Sequence, residues 1–353
     1  MTNKDFFGSE NFQLSTQKVE NSCPSNIALI KYWGKYENQI PANPSISYTL
    51  NACRTLTEMQ FFPDQEFSVS TFLAGKEEKN FASKIEKYFK SIEIYLPWIL
   101  KGSYKISTVN TFPHSSGIAS SASGFGALAK CLMDLDLLFS SDNRQLTTNN
   151  QKASFLARLG SGSACRSLYN GLVVWGETPV VEGSSDLYAV KYPDKEIHPI
   201  FKNFKDWVLL IHEGEKSVSS TVGHGLMKNH PYSEQRFQEA KDQFVPMKDI
   251  LKNGYLEKFI TLVEHEALTL HAMMMMSEPA FILMKTGTLE VINKIWAFRK
   301  ETNLSLFFTL DAGANVHLLF PNDNDCAKIE NFIMTELLPF TKKGGVMQDE
   351  MRF

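Results

Sequence analysis

The stretch that most constrains this chain runs from Phe112 to Gly124, Phe-Pro-His-Ser-Ser-Gly-Ile-Ala-Ser-Ser-Ala-Ser-Gly. Just before it, Tyr104–Phe112 is rich in β-branched and aromatic residues and reads as a strand. Beyond the small-residue loop Pro113–Gly117, Ala122, Phe125, Leu128 and Leu132 recur at spacings of three and four, the stripe of a helix buried on one face. Strand, loop and helix N-terminus in that order gather unpaired backbone N–H groups around a cavity. Those donors and the helix dipole favour a phosphate chain there. The hydroxyls of Ser120 and Ser121 in the first turn can bond a phosphate oxygen or help hold Mg2+. A plain serine-capped helix after a loop accounts for the same residues, so the segment alone leaves both readings open.

Length and charge narrow the function classes around this motif. The chain has 353 residues, 43% of them hydrophobic, which suits two domains or one large one and argues against disorder. With 36 basic residues against 39 acidic, the net charge of −3 gives no footprint for nucleic acid and no attraction to a membrane surface. No apolar run approaches the roughly 18 residues needed to span a bilayer, and the polar start, Met1 to Glu10, does not read as a secretory signal. Cys23, Cys53, Cys131, Cys165 and Cys326 are odd in number and scattered, with no Cys-x-x-Cys pair. Buried free thiols in a reducing, cytoplasmic compartment are therefore expected, rather than disulfides or a structural zinc site.

Further strands are expected at Thr55–Phe62, Phe67–Phe72, Gly171–Trp175 and Trp207–His212, and helices at Ser233–Leu251, Tyr255–Met276 and Gly287–Thr302. Leu304–Leu310 and Val316–Phe320 read as two strands around a tight loop, Asp311-Ala-Gly-Ala-Asn315. Strands and helices alternate unevenly in both halves, which favours an α+β protein in two lobes over a doubly wound sheet. The Pro- and Gly-containing text around 180–205 places the boundary, giving lobes 1–200 and 201–353.

Several motifs fail on their own terms. His265-Glu266 has Thr269 where a zincin helix needs histidine, and Gly34-Lys35 lacks the glycine-rich run of a Walker loop. Gly124-Phe-Gly-Ala-Leu-Ala129 lies inside the expected helix and not at a strand-to-helix turn. Met273–Met276 are expected to fill core.

Three other segments offer chemistry. Asn26-Ile-Ala-Leu-Ile-Lys-Tyr-Trp-Gly-Lys35 ends an apolar strand in Lys31, Tyr32 and Lys35, which suits an anionic substrate and equally describes a solvated strand end. Ser161-Gly-Ser-Ala-Cys-Arg-Ser167 allows close backbone approach to phosphate or carboxylate, with the planar fork of Arg166, or else caps a helix. Asp311 ends a strand and, alone, reads as a turn residue.

Taken together and in this order, the four segments resemble the mevalonate diphosphate decarboxylase family of the GHMP kinase superfamily, from about residue 20 to residue 320. The glycine-serine loop alone indicates only the superfamily, whereas the segments at Asn26–Lys35 and Ser161–Ser167 point to the decarboxylase branch. The resemblance implies a GHMP-kinase-like fold, with a ribosomal protein S5 domain 2-like N-lobe, a ferredoxin-like C-lobe and the site in the cleft between them. It implies ATP and Mg2+ as cofactors, 5-diphosphomevalonate as substrate, isopentenyl diphosphate as product and a homodimer as the assembly. Carried over by residue, Asp311 sits at the C3 hydroxyl, Lys31 lies near the reacting centre, and Arg166 holds the carboxylate with Asn26 orienting it. Tyr32, Lys35, Ser161 and Ser163 receive the diphosphate. Ser116, Gly117, Ile118, Ala119, Ser120 and Ser121 cradle ATP, with Ser121 on the metal.

The sequence departs from the family pattern at Ala314, where proline is usual, and at His114 and Ser115 in the loop. Where many members carry an arginine for the substrate phosphates, only lysines such as Lys84 are found. A mevalonate-type 3-kinase or a phosphomevalonate decarboxylase would share the fold; Asp311 together with Arg166, Asn26 and Lys31 favours the diphosphate decarboxylase. A non-catalytic nucleotide-binding regulator would be expected to lack Asp311 or the loop serines, and both are present.

Overall fold

The computed structural model describes residues 2–63, 65–112, 118–140, 147–212, 214 and 217–351. The first half runs β1 (Gln17–Ile30), β2 (Ser45–Phe62), β3 (Ser68–Leu73), β4 (Lys76–Glu77), α1 (Lys79–Ile92), β5 (Ser103–Asn110), α2 (Ser120–Phe139), α3 (Thr147–Gly160), β6 (Leu172–Trp175) and β7 (Ala189–Lys191). The second runs β8 (Phe204–Leu209), α4 (Ser220–Leu226), α5 (Ser233–Asp242), α6 (Phe244–Asn253), α7 (Leu256–Met275), α8 (Thr286–Thr302), β9 (Phe307–Thr309), β10 (Val316–Pro321), α9 (Cys326–Phe332) and β11 (Val346–Glu350).

The architecture is α+β, built on two sheets. In the first sheet the order is β4-β3-β5-β2-β6-β7, with β1 along the other edge of β2. Only the β3–β5 pair is parallel among the pairs described. From Cys53 onward β2 alternates, with Cys53, Thr55, Thr57, Met59 and Phe61 buried and their neighbours more exposed, the period of a strand covered on one face. The helix α2 covers that face, its Ala122, Leu128 and Leu132 buried as the spacing predicts, whereas Phe125, the fourth residue of the expected stripe, is only partly buried and lines a cleft. The second sheet is antiparallel in the order β11-β8-β10-β9.

One hydrophobic cluster joins the two halves, setting Ile27 and Leu29 of β1 and Tyr48 of β2 with Val208, Phe259 and Phe307. Polar joints fix the same junction. Tyr48 Oη donates to Asp206 Oδ2 at 2.7 Å, and His317 Nδ1 donates to the same oxygen at 2.8 Å. Burial disfavours a charged His317, but the Asp206 carboxylate outweighs it and raises the imidazole pKa. Asp349 of β11 accepts from the backbone N–H groups of Asn51, Ala52 and Cys53 at 2.7–2.9 Å. These contacts hold β10, and the loop that precedes it, in a fixed relation to β1 and β2.

Several expected elements differ in extent. The helix expected over Ser233–Leu251 is two, α5 and α6, because Pro246 is acceptable only in the first turn of a helix, where its missing N–H would have no partner anyway. The strand expected at Trp207–His212 is Phe204–Leu209, since the His212 N–H leaves the sheet for Asn315 Oδ1 at 2.9 Å. Of Met273–Met276, only Met274 is fully buried; Met275 and Met276 reach solvent at the end of α7, so the run does not act as core filler throughout. All five cysteines are free and buried, as their scatter suggests.

Candidate active site

Where β1 meets the second sheet, both halves line a cleft of about 840 Å³. β1 ends at Ile30, and Lys31, 1% exposed, turns its ammonium to within 3.5 Å of Asp311 Oδ1. Burial lowers the Lys31 pKa, while Asp311, as charge and as hydrogen-bond partner, and then Glu266 act to raise it. Asp311 stands in the loop between β9 and β10 and is the only acidic residue among the described residues lining the cleft. Against it stand Lys31, Lys35, Lys84, Lys87 and Arg166. A chain of net negative charge has thus gathered its cations at one place, as a polyanion site requires.

The loop carrying Asp311 is held by neighbours on both sides. His271 Nε2 donates to the Asp311 carbonyl at 3.1 Å, Thr288 Oγ1 donates to the Ala314 carbonyl at 2.6 Å, and Asn315 accepts from His212. These bonds restrain the loop around Asp311.

Arg166 lies on a short 3-10 turn, Gly162–Leu168, and is 3% exposed. Its Nε donates to Asn26 Oδ1 at 3.2 Å and its Nη1 donates to Ser45 Oγ. Asn26 is fixed in turn by donating to Ser167 Oγ at 2.8 Å and to the Ser163 carbonyl at 3.2 Å. The fork is therefore held at Nε and Nη1, and its other donors find no acceptor among the described residues. Such an arrangement suits a bidentate carboxylate.

Tyr32 packs on Trp175 and on His224, ring centroids 4.7 and 4.3 Å away, and burial pushes its phenol well above the usual range, so it acts as a neutral donor. His224 accepts the Gly34 N–H on Nδ1 at 3.0 Å. Burial, with Lys35 and Arg166 nearby, drops its pKa to about 3, so the ring is neutral. Lys35 is half-buried, which lowers its pKa, and donates to Gln39 Oε1 at 2.7 Å.

Ser120 and Ser121 open α2, and Ser121 Oγ lies 3.4 Å from Ser161 Oγ. Ala119 before them has φ 40° and ψ 44°, a left-handed conformation unfavourable for a residue with a side chain. It turns the chain into the helix, and Ala119, Ser120 and Ser121 line the cleft there. Ile118 is different: its side chain is buried in the core and does not line the cleft, and its carbonyl accepts from Ser25 Oγ at 2.8 Å. Ser116 and Gly117, with His114 and Ser115, lie outside the described residues.

The sequence profile of the diphosphomevalonate decarboxylase-like N-terminal domain matches residues 23–186, and that of the mevalonate 5-diphosphate decarboxylase C-terminal domain matches residues 207–351. The chain belongs to the diphosphomevalonate decarboxylase family. It is 31% identical over 335 residues to the diphosphomevalonate decarboxylase of Saccharomyces cerevisiae, covering 88% of this chain and 80% of that one. With the Schizosaccharomyces pombe enzyme the identity is 32%, covering 86% and 78%. Among solved structures, the mevalonate diphosphate decarboxylase of Staphylococcus aureus superposes with a TM-score of 0.80 at 26% identity, covering 96% of each chain. A complex of MDDEF with MVAPP, AMPPCP and magnesium superposes equally well at 25% identity, covering 96% of this chain and 98% of that one. The α+β architecture is accordingly the two-lobed GHMP-kinase-like fold.

Within this decarboxylase framework, Lys31, Tyr32, Lys35, Ser161, Ser163, Arg166, Ala119, Ser120, Ser121 and Asp311 line one cleft. Asn26 does not line it and instead accepts from Arg166. Sequence reasoning missed Lys87, Tyr88 and Ser91, which with Lys84 form one face of α1 at spacings of three and four and line the cleft. It also missed His224 of α4 and, behind Lys31, the pair Arg236–Glu266. The helical spacing of Lys84 and Lys87 is a signal for the first group; nothing in the local sequence marks the pair.

Among the described residues no group of three or more His, Cys, Asp or Glu could hold a metal ion. The cations of the cleft suit phosphates, and a hydroxyl at the helix N-terminus suits a Mg2+ ion held chiefly by phosphate oxygens and water, which is how that ion binds beside nucleotides.

Proposed function

We propose that this cleft catalyses the ATP-dependent decarboxylation of (R)-5-diphosphomevalonate to isopentenyl diphosphate, with release of ADP, phosphate and CO2, in the mevalonate pathway. The observation that carries the assignment is the single carboxylate of Asp311 set against the buried ammonium of Lys31, in one cleft with the half-satisfied fork of Arg166. The MVAPP and AMPPCP held by the structurally similar relative fit the same demand for two polyanions.

Arg166 receives the substrate carboxylate on the donors that Asn26 and Ser45 leave unused. Asp311 orients the C3 hydroxyl for in-line attack on the γ-phosphoryl group of ATP. Phosphoryl transfer has a loose transition state, so positioning matters more than base strength. Once the C3 oxygen is phosphorylated it leaves as phosphate, and positive charge develops at C3 beside the Asp311 carboxylate. The C–C bond to the carboxylate then supplies its electrons to form the alkene, and CO2 departs. Lys31 offsets negative charge on the phosphoryl group during transfer. Tyr32, Lys35, Ser161 and Ser163 receive the diphosphate, with Lys84 and Lys87 adding point charges where an arginine fork is usual. Ser120 and Ser121, with the backbone from Ser116 through Gly117 and Ile118 to Ala119, cradle ATP. Mg2+, when bound through Ser121, supplies further neutralisation of the phosphates.

The two profile matches end and begin on either side of residue 200, which supports lobes 1–200 and 201–353. Among the described residues no helix is long and apolar enough to cross a membrane, and a cytoplasmic homodimer is the assembly we propose, to be checked by its mass in solution.

Side-by-side turnover of mevalonate, its 5-phosphate and its 5-diphosphate tests the substrate assignment. The diphosphate is expected to lead the 5-phosphate in kcat/KM by at least about 10²-fold, because the cations at its end of the cleft would otherwise be left unpaired. A 5-phosphate turned over as well as the diphosphate would overturn it.

A further inference from the structure

The main chain of Lys31 is held from the opposite half of the molecule. β1 ends with Ile30 paired to Ile46, so the Lys31 N–H has left the sheet. Glu266 of α7 accepts that N–H on Oε2 at 2.8 Å. The same carboxylate accepts from Arg236 of α5, Nη2 to Oε2 at 2.5 Å and Nη1 to Oε1 at 3.0 Å. Arg236 Nη2 also lies 3.5 Å from the Lys31 carbonyl, which Asn43 Nδ2 reaches at 2.9 Å. Glu266 is 0% exposed and Arg236 2%. A buried ion pair seldom adds stability over an apolar pair of similar volume. Stability is therefore a weak reason for this one, and the backbone of Lys31 offers a specific one.

We propose that Glu266, fixed by Arg236, is a positioning residue that holds the Lys31 main chain so that its ammonium stays charged and stays against Asp311. The inference rests on the assignment of Lys31 to the reacting centre. Neither residue touches the cleft, so both act through Lys31.

The charges around Lys31 give the proposal a readout that packing would not. Asp311 and Glu266 favour its ammonium, while burial and the Arg166 guanidinium oppose it. The Arg236 guanidinium stands at its carbonyl, with His271 behind Asp311 and His317 on β10 close enough to sense both Lys31 and Asp311. Glu266 and Arg236 together add no net charge. Removing the carboxylate alone leaves the Arg236 guanidinium beside Lys31 with only the part-exposed Glu239, 3.5 Å from its Nη1, as counter-ion, so the ammonium gives up its proton at lower pH. The charged form exists below its pKa, and activity that needs it is lost as pH rises through that value. The alkaline limb of kcat must therefore move down.

Glu266→Gln, Glu266→Gln/Arg236→Met and Lys31→Met are compared with the wild-type chain in kcat, KM and the kcat–pH profile. Glu266→Gln is expected to lose about tenfold in kcat with KM for ATP within about threefold, and to shift the alkaline limb down by about one pH unit. The double variant leaves no buried charge unpaired, and its limb should return to within about 0.3 pH unit of wild type. An unmoved limb in Glu266→Gln overturns the proposal whatever kcat does, since a merely structural role would not move a protonation step. Should only the double variant fold, its kcat at the plateau should stay at least about fivefold below wild type, the arginine no longer fixing residue 266, and a wild-type kcat overturns the proposal. Lys31→Met separates the two assignments: turnover within about threefold of wild type defeats the role of Lys31 itself.

Discussion

Asp311→Asn lowers turnover by at least about 10³-fold, roughly 4 kcal/mol of transition-state stabilisation, while ATP and 5-diphosphomevalonate still bind within about tenfold of wild type. The amide keeps the shape of the side chain and the loop held by His271 and Thr288, so ground-state binding has little reason to change. What is lost is charge. No other acidic residue among those described lines the cleft, so nothing nearby replaces the carboxylate beside C3 as positive charge develops there. The change also removes the partner of the buried Lys31 ammonium, 3.5 Å away. Equilibrium binding and single-turnover rates on the same preparation separate the two effects. Turnover within about tenfold of wild type would remove Asp311 from the reacting centre.

Arg166→Lys should lower kcat/KM for 5-diphosphomevalonate by about 10²- to 10³-fold while leaving the KM for ATP within about threefold. Arginine can spend Nε on Asn26 and Nη1 on Ser45 and still present two donors to a carboxylate. Lysine has one nitrogen for all of these partners, and its flexible stem would not be held in register by Asn26. The ATP end of the cleft, at Ser120 and Ser121, is formed by a different element and should not respond. Steady-state kinetics with each substrate varied in turn checks this, and a loss below about threefold would take Arg166 out of the substrate site.

On local chemistry alone these two residues were ambiguous, a helix cap and a turn residue serving as well, and it was the resemblance of their segments, Gly-Ser-Ala-Cys-Arg and Asp-Ala-Gly-Ala-Asn, to the family that singled them out. The strand-loop-helix at Ser103–Phe139 was legible from periodicity, since Ala122, Leu128 and Leu132 bury one stripe. The first part of β2 was not. Ser45, Ile46, Ser47, Tyr48, Thr49 and Leu50 alternate polar and apolar, yet all six are buried, so the polar face that such alternation implies does not meet solvent there. For Ser45 and Thr49 the reason is tertiary: Ser45 accepts from Arg166, and Thr49 accepts the Gly171 N–H at 3.2 Å. Glu266 shows the same limit more sharply. Beside His265 it invites a metal-site reading that fails, and its real partners, Arg236 and the Lys31 N–H, are remote in sequence. The charge balance behaves likewise. A net −3 says nothing of a cleft where Lys31, Lys35, Lys84, Lys87 and Arg166 face one carboxylate, because only folding brings them together.

The central claim is that phosphoryl transfer and fragmentation occur in this one cleft, and product stoichiometry tests it most directly. Purified protein with Mg·ATP and 5-diphosphomevalonate should release CO2, ADP and phosphate in equal amounts. ADP formed without CO2 would make the chain a 3-kinase and contradict the account, and a chain that forms neither product would contradict it entirely.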